Sequence, residues 1–194
     1  GHAHSIVSLA FLASGDVFAA DAKGQIKLWS LKSTAPIHEI QDKDDASRHL
    51  TCMAVSTVSS VLAAGYMDGS LRIWDAVSNH DVPNTLLRTQ VCHKGKVSGI
   101  ACSPKNSRLV STVGTDGKLV LIDTGSRSAT DVCAVCETGE VLTSQAFHEN
   151  GIHSAVGTME GNIHLYDLRN LRHPVINLPA HSPNPVNALA YQVN

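Results

Sequence analysis

The sequence predicts an all-β fold in which one four-stranded unit is used four times, and three observations carry that reading. Glycines at positions 24, 69, 117 and 161 recur at intervals of 45, 48 and 44 residues. The residues around each glycine repeat as well: a short apolar run leads into it, and a second run follows, ending on a large side chain and, in three of four cases, an acid. The apolar runs are short and separated by Gly, Pro, Asn and Ser, which is the spacing of strands and turns.

The repeat is explicit when the segments are set side by side. Val17-Phe-Ala-Ala-Asp-Ala-Lys-Gly24-Gln-Ile-Lys-Leu-Trp29-Ser30 matches Val61-Leu-Ala-Ala-Gly-Tyr-Met-Asp-Gly69-Ser-Leu-Arg-Ile-Trp74-Asp75. Both match Leu109 to Asp123 around Gly117, and His153 to Asp167 around Gly161. A period of about 40–45 residues with an Asp-Gly turn and a terminal Trp-Asp resembles the WD40 repeat, the blade of a β-propeller. The expected repeats run over roughly 2–41, 46–91, 93–136 and 138–180, with 181–194 opening a fifth.

Each element follows from local chemistry. First strands are expected at Ile6–Phe11, Leu50–Val55, Val97–Cys102 and Leu142–Phe147, each an apolar run before a turn. A second strand then leads to the shared glycine, whose freedom to take positive φ suits a tight hairpin. The third strand carries the aromatic. Fourth strands are expected at Ile37–Ile40, Thr85–Arg88, Thr130–Val135 and Val175–Leu178, near Pro36, Pro83 and Pro174. Proline cannot donate to a ladder, so it belongs on the outer edge of a blade. Val186–Tyr191 reads as the first strand of a fifth blade. The chain opens on Gly1-His2-Ala3-His4, without an initiator Met or a signal-peptide layout. A partial ring is therefore expected, about four blades of a seven-bladed propeller, with apolar end faces that need covering by the missing blades of the same propeller or by some other partner.

In propellers of this kind a His before the first strand, a hydroxyl in the second, an Asp in the hairpin and the Trp form a hydrogen-bonded set. Buried polar groups must be paired, which is the physical reason for such a set. The third repeat has His93, Thr112 and Asp116 but Ile122 for Trp; the second has Asp68 and Trp74 with Ala64 for the hydroxyl. The first has Trp29 and His4 as its candidate His, with Lys23 at the Asp position; the fourth has Glu160 and Tyr166. Because the trio recurs in degraded form at every repeat, His93, Asp116 and Thr112 are read as structural.

Composition narrows the function. Fifteen basic and seventeen acidic residues give a formal charge of −2, with no footprint for nucleic acid or an anionic membrane, and no apolar run is long enough for a spanning helix. Five irregularly spaced cysteines fit reduced thiols better than a disulfide framework. Cys133-Ala-Val-Cys136 has zinc half-site spacing, but no second pair accompanies it and in a strand the two residues point to opposite faces. No phosphate loop, nucleophile elbow or carboxylate pair is present, so no enzyme activity, metal or cofactor is expected. A protein-binding scaffold is.

Two resemblances refine this. Tyr166-Asp167-Leu168-Arg169 is similar to the Trp-Asp-x-Arg motif of WD40 substrate receptors of cullin-4 ubiquitin ligases, in which the Arg contacts the adaptor. More extensively, Cys92-His-Lys94, Ser98-Gly-Ile-Ala-Cys-Ser-Pro104-Lys-Asn106, Val113-Gly-Thr-Asp-Gly117 and Gly157-Thr-Met-Glu-Gly161 through Val175 resemble a family of centrosomal and spindle WD-repeat proteins. That family, the neural-precursor-expressed, developmentally down-regulated type, recruits the γ-tubulin ring complex. Ser47 to Leu50, Ala180-His181 and Val186 to Gln192 extend the match over most of 47–192. The resemblance implies a cytoplasmic docking or targeting role at centrosome or spindle, in microtubule nucleation, with centrosomal or γ-tubulin complex proteins as partners. The expected contact residues are Met67 and Met159 just ahead of the hairpin turns, with Arg48, His49 and Lys96 before first strands, and Arg169 in the ubiquitin-ligase alternative.

Overall fold

The computed structural model describes residues 1–40, 49–59, 61–75, 85–125 and 132–192. Arg48, Pro83 and the first two residues of the expected strand at 130–135 lie outside them. Sixteen strands form four antiparallel sheets of four among the described residues. The first sheet holds β1 (Ile6–Phe11), β2 (Val17–Asp21), β3 (Ile26–Trp29) and β4 (Pro36–Ile40). The second holds β5 (Leu50–Val55), β6 (Val61–Tyr66), β7 (Ser70–Asp75) and β8 (Thr85–Val91). The third holds β9 (Val97–Cys102), β10 (Leu109–Gly114), β11 (Lys118–Asp123) and β12 (Val132–Glu137). The fourth holds β13 (Leu142–Phe147), β14 (His153–Thr158), β15 (Asn162–Asp167) and β16 (Ile176–Pro179). Each sheet is a meander in sequence order, and β1, β5, β9 and β13 lie side by side. The sheets therefore stand as successive propeller blades with their first strands innermost.

The core lies between blades because each sheet must bury both faces. Phe18, Ala20, Ile26 and Leu28 of the first blade meet Leu62, Ala64, Tyr66 and Trp74 of the second. Ala63, Leu71 and Ile73, pointing the other way, meet Val110, Val120 and Ile122 of the third. Val113, Leu119 and Cys136 then meet Leu142, Val156 and Tyr166 of the fourth. The alternation of strand side chains thus supplies two interfaces per sheet.

The segment 186–191 departs from expectation: it forms no strand. A first strand gains its ladder from the second strand of its own blade, and none lies beside 186–191 among the described residues. Val186 is nevertheless buried, and its N–H donates to Thr158 O at 3.0 Å. Among the fourth strands, β4 begins one residue earlier than expected, and β8 runs on to Val91, three residues past its expected end. β12 runs on to Glu137, two residues past its expected end, and β16 lies one residue later than expected.

Candidate protein-interaction surface

The second-to-third-strand hairpins and the segments before the first strands form one face. Gly24, Gly69, Gly117 and Gly161 all have positive φ, between 75° and 87°. Three of them are also sites of close approach: a Cβ on Gly69 would run into His93 O, one on Gly161 into Ser182 N, and one on Gly117 would fall 2.9 Å from Glu140 O. Only glycine meets both demands, which is why the repeat is marked by it.

One residue back from the Asp position, Ala22, Met67, Thr115 and Met159 each donate a backbone N–H to the residue preceding the first strand. The acceptors are Ser5, His49, Lys96 and Val141, at 3.0, 2.9, 3.0 and 2.8 Å. These bonds staple hairpin to entry loop and put both on the same rim. Met67 is 53% exposed and Met159 is 48% exposed there. His49 is exposed, with Nδ1 3.2 Å from Ala22 O of the preceding blade, and Lys96 is half-buried. Arg169 lies elsewhere, in the turn after β15, its guanidinium forked onto Asp167 at 2.6 and 2.9 Å. Those bonds hold the Asp167 carboxyl down at about 2.

Beneath the rim each blade satisfies its polar residues differently. In the third, His93 Nδ1 lies 2.8 Å from Asp116 Oδ1, Nε2 lies 2.9 Å from Thr112 Oγ1, and Lys94 N–H donates to Asp116 Oδ2 at 3.0 Å. A carboxylate only accepts, so Nδ1 carries the proton and the neutral ring accepts the Thr112 hydroxyl at Nε2. Burial holds the His93 imidazole below its ordinary value, against the pull of Asp116. Burial pushes Asp116 up, but the Lys94 N–H and the His93 contacts outweigh it and leave the carboxyl below the usual range.

In the first blade the acid has moved. Asp21, buried at the end of β2, accepts the N–H groups of Lys23 and Gln25 and sits 3.1 Å from His2 Nδ1. His4 is exposed, so His2 fills the place expected of His4, and Lys23 needs no acidic counterpart. In the second, Asp68 Oδ1 accepts both the N–H and the hydroxyl of Ser70, and Trp74 is buried. Trp29 is half-buried. In the fourth, Glu160 is exposed; Glu140, from the entry loop, instead takes Asn162 Nδ2 at 3.0 Å and His164 Nε2 at 3.1 Å. Tyr166 is buried, which raises its pKa.

A second recurring device was not read from the sequence. Thr51 Oγ1 lies 2.6 Å from Val97 O, Ser98 Oγ 2.6 Å from Leu142 O, and Thr143 Oγ1 2.7 Å from Val186 O. In each case a hydroxyl at the second position of an innermost strand donates to the next innermost segment. Its signal was present in the pairs Leu50-Thr51, Val97-Ser98 and Leu142-Thr143, but nothing local says that a carbonyl some 45 residues on will be the acceptor. The first blade has Val7 there. Gln145 adds a further link to the third blade, its amide donating to Ser111 O at 2.6 Å.

All five cysteines are free thiols, and burial raises Cys52 to about 11 and Cys92 and Cys102 to about 12. Cys133 is exposed and Cys136 buried on β12. Among the described residues no group of three or more His, Cys, Asp or Glu could hold a metal ion, and no helix is long and apolar enough to cross a membrane.

The repeat geometry agrees with comparison to known proteins. A family model of the nucleolar protein 10-like N-terminal domain, a β-propeller, matches residues 13–194. The chain belongs to that family. Within the wider WD-repeat proteins, this propeller chain is 34% identical to human Protein NEDD1 over 133 residues, covering 69% of the chain and 19% of the relative. It is 35% identical to mouse Protein NEDD1 over the same shares. It is 27% identical over 63% of its length to the ribosome biogenesis protein WDR12 homolog of Chlamydomonas reinhardtii, covering 27% of that protein. The chain thus spans about a fifth of the NEDD1 relatives it matches. A chain of the crystal structure of the mitotic checkpoint complex superposes with a TM-score of 0.79 over 94% of this chain and 54% of that one, at 20% identity, a likeness of fold. As a WD-repeat propeller the chain is a protein-interaction scaffold.

Proposed function

We propose that this propeller chain docks a centrosomal or spindle protein, serving a non-catalytic targeting role in γ-tubulin complex recruitment and microtubule nucleation. The observation that carries it is the stapled rim, where Met67 and Met159 stand at equivalent hairpin positions, both about half exposed, with His49 and Lys96 beside them. Flexible thioethers on a rigid frame suit an adaptable apolar contact, and polar neighbours suit its margin. The likeness to the NEDD1 proteins supports the centrosomal direction.

The test is capture of partners from dividing cells by the protein carrying this chain, with imaging of where it resides. Recovery of γ-tubulin complex subunits and a centrosomal or spindle signal are the expected results. The double variant Met67→Ala/Met159→Ala should reduce capture by tenfold or more while the melting temperature stays nearly unchanged. A nucleolar signal without those subunits would overturn the centrosomal reading, and unchanged capture by the double variant would overturn the rim.

A further inference from the structure

The rim is not electrically uniform, and the difference lies where the second blade meets the third. The entry loop of the third blade is held from both sides by its backbone. Gly69 O accepts the N–H groups of Cys92 and His93, Asp116 accepts that of Lys94, and Lys96 O accepts that of Thr115. With the backbone so committed, the side chains of Lys94 and Lys96 are left to the surface, Lys94 exposed and Lys96 half-buried. On the other side of Met67 the His49 ring reaches Ala22 O, and Lys23, next in the chain, is exposed. This stretch of rim takes its shape from the contacts of the first three blades with one another.

Its positive charge is uncompensated. Lysines on the third strands have acids across from them: Lys27 Nζ lies 2.9 Å from Glu39 and Lys118 Nζ 2.8 Å from Glu137. Among the described residues no ion pair holds Lys23, Lys94 or Lys96. The acids of the rim are spent on their own blades instead. Asp116 is taken by the His93 ring and the Lys94 N–H, Glu140 by Asn162 and His164, and Asp68 Oδ1 by Ser70. Met67, 53% exposed, therefore stands between unpaired ammonium groups. An ammonium beside a half-exposed thioether suits a carboxylate next to an apolar side chain. A continuous phosphate backbone fits less well, since Asp68 and Glu160 are exposed on the same face and the formal charge of the chain is −2. Taking the rim as the docking surface, we propose that it receives a partner segment rich in Asp and Glu with an apolar side chain at its centre. The apolar residue rests on Met67, and carboxylates flank it on Lys94 and Lys96 to one side and on Lys23 to the other. Each exposed pair is weak alone and screened by salt, so the segment is recognised by several at once around one apolar anchor.

The experiment is fluorescence anisotropy of a labelled peptide of glutamates around a central leucine, titrated with the 194-residue chain. Saturable binding is expected, weakening about tenfold between low salt and about 0.5 M, where screening leaves only contacts of a few ångströms. Lys94→Glu/Lys96→Glu should weaken it by about tenfold or more and Met67→Ala by about threefold, while Lys94→Arg/Lys96→Arg retains it. Lys32→Glu/Lys105→Glu makes the same change of charge on exposed turns at the opposite ends of the strands, and should bind as the wild type does. Circular dichroism and melting should match the wild type throughout; if charge reversal disturbs them, Lys94→Gln/Lys96→Gln reads the same loss. A peptide that fails to bind at about 1 mM would overturn the proposal. So would an equal loss in the opposite-face variant, or equal binding of a glutamate peptide with glycine at its centre. Tighter binding of a single-stranded oligonucleotide or of phosphatidylserine vesicles would overturn it too, by assigning the lysines to phosphate. The rim itself is tested apart from its charge. If Met67→Ala/Met159→Ala abolishes capture from dividing cells while Lys94→Glu/Lys96→Glu leaves it intact, the docking surface stands and the acidic partner falls.

Discussion

The first and third blades are built from the same repeat but hold their polar groups by different means. In the third, His93 is 2% exposed and bridges two elements, the hairpin acid Asp116 and the strand hydroxyl Thr112, while Ser98 ties the innermost strand to the fourth blade. In the first, the acid has moved from the hairpin back to Asp21 at the end of the strand, its His comes from the second residue of the chain, and Val7 stands where the others have a hydroxyl. The interior of the first blade is as tightly covered, with Phe18, Ala20 and Ile26 fully buried, yet β1 stays exposed along one side. The comparison shows that a blade's interior packs as tightly on a different polar set. The polar sets mainly fix how the entry segment and the neighbouring blade are seated.

The sharpest way to break this contrast is His93→Ala. It leaves the buried Thr112 hydroxyl without its ring partner and takes one donor from Asp116, which keeps the Lys94 N–H. The expected loss is about 1–3 kcal/mol by urea unfolding, because a buried group without its partner costs its desolvation. His2→Ala in the first blade should cost less, since His2 makes a single ring contact where His93 makes two, and Asp21 keeps two backbone donors. Next in size, Ser98→Ala and Thr143→Ala should each cost about 1 kcal/mol, the net worth of one hydrogen bond. A measured loss near zero for both would mean that the hydroxyls are passengers of the packing.

Acid should probe the same difference. His93 binds its proton more weakly folded than at its ordinary 6.5, so below that pH the unfolded chain holds more protons. Stability present above pH 6.5 is therefore lost as pH falls through the depressed folded value. Asp116, also depressed, adds a second loss below its ordinary 3.8. In His93→Gln the first slope should flatten, while a slope that persists would move the effect to another histidine. The smallest effect is the gain expected from Val7→Thr, up to about 1 kcal/mol if the new hydroxyl reaches the second blade as Thr51 reaches the third. A stabilised variant would extend the clasp to all four blades.

The repeat and its first strands were legible in the sequence because they rest on local chemistry: alternation, turn residues, and glycines that alone permit a positive φ. The start and end residues of β1, β5, β9 and β13 agree with that reading. The outer strands were less so, because an edge strand is chosen by its partner: β8 and β12 run on to Val91 and Glu137, three and two residues past their expected ends. The polar partners were only partly legible. His93, Thr112 and Asp116 could be named from spacing, but Asp21, His2 and Glu140 could not. Their roles depend on which carboxylate the folded loops bring within reach of which ring, at separations of 19 and 24 residues.

By itself, then, the sequence determined the unit: its length, its turns and its buried faces, all set within a few residues of one another. Only the tertiary structure decided how units are joined, through hydroxyls donating to carbonyls of the next blade. Those bonds connect residues more than forty positions apart. No local preference encodes them, because the acceptor is a backbone carbonyl that every residue has, and only the stacking of blades brings one of them into line.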